Sequence, residues 1–166
     1  MLFNASCGKL IIFKMSKIYS YIILIMALTC VSSLSFSQCN EFTKKDCIPL
    51  LNPYTFNGQL NNTVLSEGET AELQLTFYAD QEYRVLVAGE DHIGKIRFQL
   101  LDVEYNILYD NKDESYTKFW DFSVESTDDF IVRVIVDQND NPDDIQSGCV
   151  SMLVGFRAFG SRTLFK

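Results

Sequence analysis

Apolar and polar residues alternate one by one along most of the chain after residue 54, in runs that recur every roughly eight to twelve residues. In residues 70–79, TAELQLTFYA, Ala71, Leu73, Leu75 and Phe77 fall on one side and Glu72, Gln74, Thr76 and Tyr78 on the other. Residues 82–88 put Tyr83, Val85 and Val87 on one side, and residues 95–102 do the same with Ile96, Phe98 and Leu100. Trp120, Phe122 and Val124 share a side of 119–124, and Phe130, Val132, Val134 and Val136 a side of 130–137. Val150, Met152, Val154 and Phe156 do so in 149–156, and two weaker segments, 54–60 and 106–110, complete a set of eight. A period of two sends successive side chains to opposite faces of an extended strand. Strands apolar on one face only belong to antiparallel sheets with one wet face each. The pattern therefore predicts an all-β fold, a two-sheet antiparallel sandwich of jelly-roll or Greek-key type. Asp80-Gln81 reads as the turn of a hairpin joining 70–79 to 82–88.

The one long apolar run lies elsewhere. Residues 15–38, MSKIYSYIILIMALTCVSSLSFSQ, combine a positive Lys17, an unbroken apolar stretch 22–28, and Ser35-Phe36-Ser37 as a small-x-small cleavage site. This is the layout of a secretory signal peptide, with translation starting at Met15 or after a long n-region. The apolar stretch is short of the roughly 20 residues of a bilayer span. An uncleaved anchor and a lipoprotein, attached through Cys30 or Cys39, are the competing readings. The division expected is 1–37 as extension and leader, 38–53 as a segment carrying cysteines, 54–156 as the sandwich and 157–166 as a tail. The mature chain is expected in the periplasm or outside the cell, without a membrane span.

Charge and cysteine count narrow the function classes. The whole chain carries 14 basic and 22 acidic residues. Lys9, Lys14 and Lys17 leave with the leader, so 11 basic residues face 22 acidic ones, a net charge of −11. Such a domain has no electrostatic footprint for nucleic acid. Three cysteines remain, Cys39, Cys47 and Cys149, and an oxidising compartment favours one bridge among them. Cys47–Cys149 is the expected pair, because it would join the first strand to the last and close a long loop, worth roughly 4–5 kcal/mol in the chain-entropy model. The rival is a small Cys39–Cys47 ring.

Candidate chemistry is sparse. In the acidic loop 137–144, Asp137, Asn139, Asp140, Asp143 and Asp144 are candidate calcium ligands, with Asp110, Asn111, Asp113 and Glu114 as contributors from a second loop. The loop starts with EF-hand oxygen spacing but has Pro142 where the turn needs glycine and Gly148 where the bidentate glutamate belongs. Solvated turn formers are the competing reading. His92 is the only histidine, and no nucleophile elbow or metal-ligand spacing accompanies it, so no catalytic residue is assigned. Tyr109, Tyr116 and Trp120 cluster around an amide-bearing loop and form a candidate platform for a glycan if exposed; as core residues they would carry none.

The order FNGQL (56–60), LSEGE (65–69), LQLTFYADQEYRVLV, IRFQLLDVEYNILYDN and FSVESTDDFIVRVIV resembles the bacterial pre-peptidase C-terminal domain over residues 54–156. Two departures stand out: the glycine of the family's D-x-x-G hairpin is absent at Tyr105-Asn106, and the late aromatic is Phe130-Ile131 rather than a tyrosine pair. The resemblance implies a β-sandwich in an exported setting, a non-catalytic accessory of secreted enzymes that here stands alone. Its partner would be a protein or glycan outside the cytoplasm. A carbohydrate- or calcium-binding module is the second expectation, and a carboxylate-based hydrolase the last.

Overall fold

The computed structural model describes residues 39–138 and 145–158, all within the second of the chain's two units, Gln38–Lys166. Among the described residues nine strands form two antiparallel sheets: β1 (Thr55–Phe56), β2 (Asn61–Ser66), β3 (Thr70–Phe77), β4 (Gln81–Gly89), β5 (Ile96–Leu101), β6 (Ile107–Asp110), β7 (Phe119–Val124), β8 (Asp128–Val136) and β9 (Ser147–Ala158). The first sheet runs β1-β9-β4-β7, with β2 also on β9; the second runs β3-β8-β5-β6. β1 pairs with β9 at Phe156 and Gly155, and β2 with β9 from Met152 to Ser147. They are two pieces of one edge strand, interrupted at residues 57–60. Counted as one, they give eight strands in the orders 1-8-3-6 and 2-7-4-5, which is the jelly-roll arrangement.

The side-chain alternation maps onto the sandwich interior. Phe77, Tyr83, Val85, Val87, Phe98, Leu100, Val132, Val134, Val136, Val150 and Val154 all belong to one buried cluster between the sheets. The expected hairpin between the third and fourth strands does not form. β3 pairs with β8 and β4 with β7 and β9, so the chain crosses between sheets at Asp80. Tyr83 secures the crossing: its hydroxyl accepts from the Tyr78 N–H at 2.8 Å. Alternation fixes which face of a strand is buried and leaves its neighbour open, so a crossing and a hairpin read alike.

The segment before β1 is helical. Consecutive turns Thr43–Cys47 and Ile48–Leu51 cross the outer face of the first sheet. Cys47 and Leu51 pack there against Leu86, Ala88 and Leu153, so β4 and β9 are buried on both faces instead of having a wet side. Arg84 holds this cover down. Its guanidinium donates to both Asp121 carboxylate oxygens at 2.7 Å and to the carbonyls of Leu50 (3.1 Å) and Asn52 (3.0 Å). The cover also corrects the cysteine pairing: the bridge is Cys39–Cys149, and Cys47 is a buried free thiol. Eight residues of helix rise about 12 Å. With Cys39 at Cys149, Cys47 lies further along the sheet, hydrogen-bonded to Ser151, and burial raises its thiol pKa.

Candidate binding groove

The two long sides of the jelly roll differ. On the side bounded by β6 and β7, aromatic rings close the gap between sheets. Tyr109 stacks on Trp120 at 4.4 Å and Trp120 on Phe122 at 4.7 Å, with Phe98 against Tyr109 at 5.5 Å. A hollow of about 280 Å³ remains there. On the opposite side, between the β1/β2 edge and β3, the described residues make a ring contact at the Phe77–Tyr83 end (4.9 Å) and no stack along the strands. Two hollows of about 390 and 540 Å³ follow one another along β3, the first beside Ala71–Leu73 and the second beside Gln74–Phe77. Together they form a groove.

Its floor is apolar: Leu65, Val134, Val150 and Met152 at one end, Tyr83, Val154 and Phe156 at the other. Its rim is amide-rich, with Asn61, Asn62, Gln59 and Asn57 on one wall and Gln74 on the other. Asn61 Nδ2 is buried with no hydrogen-bond partner. Ala71, Leu73 and Leu75 point inward from β3 and are only half-buried, because nothing among the described residues covers the open side.

Among the described residues β3 is an uncapped edge. It has eight residues and no proline or lysine. Val136 N–H donates to the Glu69 carbonyl at 3.0 Å, in the bulge that Gly68 permits with φ +82°. Hydrogen-bonded pairs alternate along an antiparallel ladder. In the register of β3 with β8 they therefore fall at Ala71, Leu73 and Leu75, and the N–H and C=O groups of Thr70, Glu72, Gln74 and Thr76 face the open side.

The outer face of the second sheet carries a polar row across all four strands, where Glu72, Arg133, Gln99 and Asp110 are in register. Arg133 donates to Glu72 at 2.6 Å, Gln99 donates to Asp110 at 2.8 Å, and Arg97 forms an ion pair with Asp110 through two nitrogens. The Arg97 guanidinium holds the Asp110 carboxyl down to about 2. Two tyrosines with left-handed backbones border this row, Tyr105 (φ 67°) and Tyr116 (φ 60°). Tyr105 reaches Glu72 at 3.3 Å, and Tyr116 donates to Asp137 Oδ2 at 2.6 Å, a bond that raises the Tyr116 pKa.

These contacts place the residues singled out from sequence. Tyr109 is 9 % exposed and Trp120 is packed beside it between the sheets, while Tyr116 borders the outer face of the second sheet; the three form no single platform. Of the acidic loop, Asp137 is engaged by Tyr116; Asn139, Asp140, Asp143 and Asp144 lie outside the described residues, as do the leader and residues 159–166. Among the described residues no three His, Cys, Asp or Glu are grouped to hold a metal ion. Asn111 is structural: its Oδ1 accepts from Phe98 N–H, and its Nδ2 donates to the Ile96 and Thr117 carbonyls. His92 Nε2 sits 3.0 Å from the Ser147 carbonyl oxygen. Sequence reading missed β2 and with it one wall of the groove, since NNTVLS carries no clear alternation. A usable signal was charge: from Asp46 through Tyr83 there is no lysine or arginine.

No family model matches the chain, and no curated protein matches it in sequence. Among solved structures, the chain is similar to the crystal structure of Aeromonas hydrophila PliG, a periplasmic lysozyme inhibitor of g-type lysozyme. The two are 11 % identical, with 63 % of this chain and 89 % of that chain covered and a TM-score of 0.46.

Proposed function

We propose that this chain is an exported, non-catalytic interaction domain whose working surface is the groove between the β1/β2 edge and β3. One observation carries the reading. Among the described residues, the jelly roll is packed along β6/β7 by stacked rings and left open along β3, where an uncovered eight-residue edge borders an apolar floor. Natural sheets blunt such edges, and hollows of this size with a few convergent polar groups suit a bound ligand. The leader-like residues 15–38 and a bridge of the kind that persists in oxidising compartments support export. The resemblance to the pre-peptidase C-terminal domain supports a non-catalytic accessory role, with a protein partner outside the cytoplasm. The amide rim makes a glycan the second class of occupant.

Site-specific photo-crosslinking in the exporting cell tests this. A crosslinker at Gln74 or Asn62 should capture one discrete partner, and the same group at Lys112, remote from the groove, should not. Equal labelling at all three positions, or capture only from Lys112, would remove the groove from the reading.

A further inference from the structure

Resting on that groove reading, we infer that β3 takes an added strand from a basic partner protein, with apolar side chains entering the groove alternately with lysines or arginines on the outer face. The backbone dictates the first half. Thr70, Glu72, Gln74 and Thr76 present to the open side N–H and C=O groups that no described residue pairs, spaced as a strand requires. Strand addition at such an edge takes affinity from the backbone and specificity from alternate side-chain pockets. The two hollows lie where inward side chains of an added strand would go, beside half-buried Ala71, Leu73 and Leu75.

Charge dictates the second half. Both walls come largely from residues 57–83, which contain five carboxylates (Glu67, Glu69, Glu72, Asp80, Glu82) and no cation. The two arginines beside them are already paired, Arg133 with Glu72 and Arg157 with Glu82. Over the described residues, 9 basic side chains face 19 acidic ones. Each of the four described arginines sits in an ion pair. A second copy of this chain would bring the same excess negative charge to the edge and be repelled, whereas a cationic strand is attracted. The occupant is therefore an extended segment of a basic protein rather than another copy.

The probes are four capped octapeptides titrated into the exported protein at 0.15 M salt: (Lys-Val)4, (Glu-Val)4, and (Lys-Val)4 carrying backbone N-methyl groups on the lysines or on the valines. Expected are binding of (Lys-Val)4 at least tenfold tighter than (Glu-Val)4, and loss of binding with one methylated form only, because alternate N–H groups of an added strand face β3. Slowed amide exchange at Thr70, Glu72, Gln74 and Thr76 should accompany binding. Gln74→Pro, which removes an outward N–H at an edge position where proline is tolerated, should weaken binding at least tenfold, and Gln74→Ala should not. If Gln74→Pro fails to fold, the methylated peptides still decide. Equal binding of both methylated forms, equal binding of acidic and basic peptides, a dimer of the free protein at 0.15 M salt, or binding only after deletion of residues 159–166 would each overturn the inference. A crosslink from Gln74 to a glycan or an acidic protein would overturn it while leaving the groove reading intact.

Discussion

Asp110 offers a direct test of the polar row on the second sheet. Its side chain is 10 % exposed, forms an ion pair with Arg97 through two guanidinium nitrogens and accepts from Gln99 Nε2. These contacts hold the folded-state pKa at about 2, against about 3.9 in an unfolded chain. At about 1.4 kcal/mol per unit the difference is worth about 2–3 kcal/mol, and solvent around Arg97, 29 % exposed, trims that toward about 2 kcal/mol. The folded value is the lower one. The stabilisation is therefore full above about pH 4 and is lost as pH falls through about 2, where both states bind the proton. Asp110→Asn removes the titration and keeps the shape. Urea unfolding of both proteins between pH 7 and pH 2 should show wild type ahead by about 2 kcal/mol at neutral pH, with the gap closing toward zero in acid. A gap that stays constant across that range would mean that packing rather than charge is lost, and the argument would fail.

Three further outcomes follow from buried contacts. Asn111→Ala orphans Phe98 N–H and two carbonyls around a side chain 1 % exposed, and urea unfolding should register a loss of about 3 kcal/mol, at roughly 1–3 kcal/mol for a buried unsatisfied group. Cys39→Ser opens a loop of sequence separation 110 and should cost up to about 5 kcal/mol in the chain-entropy model; non-reducing peptide mapping should recover Cys39 joined to Cys149, with Cys47 alkylated only after denaturation. Gly155→Ala puts a Cβ 2.7 Å from Tyr54 Cβ and 3.3 Å from Leu51, so the helical cover must shift, at about 1–3 kcal/mol, and Cys47 should react faster with a thiol reagent.

The strand faces were legible because burial imposes a period of two on every strand that lines the interior. Partner choice was not legible, since Leu73 or Val85 looks inward whether its strand turns back or crosses over. The helical cover was hidden by its shortness, although Cys39, Thr43, Cys47 and Leu51 recur every four residues and all are nearly fully buried. Reading that spacing would have placed Cys39 and Cys47 on one helical side about 12 Å apart and excluded the Cys39–Cys47 ring; it does not choose which of the two meets Cys149. Asp110 and Asn111 misled as candidate ligands because a loop carboxylate and amide look alike in sequence whether they face a cation or a neighbouring strand. The missing hairpin glycine has a local answer: Tyr105 takes the left-handed backbone itself, and the turn is held by Asp102, which accepts from Asn106 N–H and Nδ2 at 2.8 and 2.7 Å.

An edge as long as β3, free of lysine, proline and inward charge, should make a protein stick to itself. On the strand-addition proposal, the acidic excess would keep the edge open: charge around Glu69 and Asp80 would hold copies apart at moderate salt and leave the backbone groups to the basic partner proposed above. The two features depend on each other, and salt separates them. At 1 M salt the screening length falls to about 3 Å, the repulsion goes, and the bare edge should begin to pair. Sedimentation velocity should then show a monomer at 0.05 M NaCl and reversible association at 1 M, with Gln74→Pro monomeric at both. Association that is unaffected by Gln74→Pro would move the contact to some other surface. A wild-type protein that stays monomeric at high salt would show that the edge is protected by something other than its field.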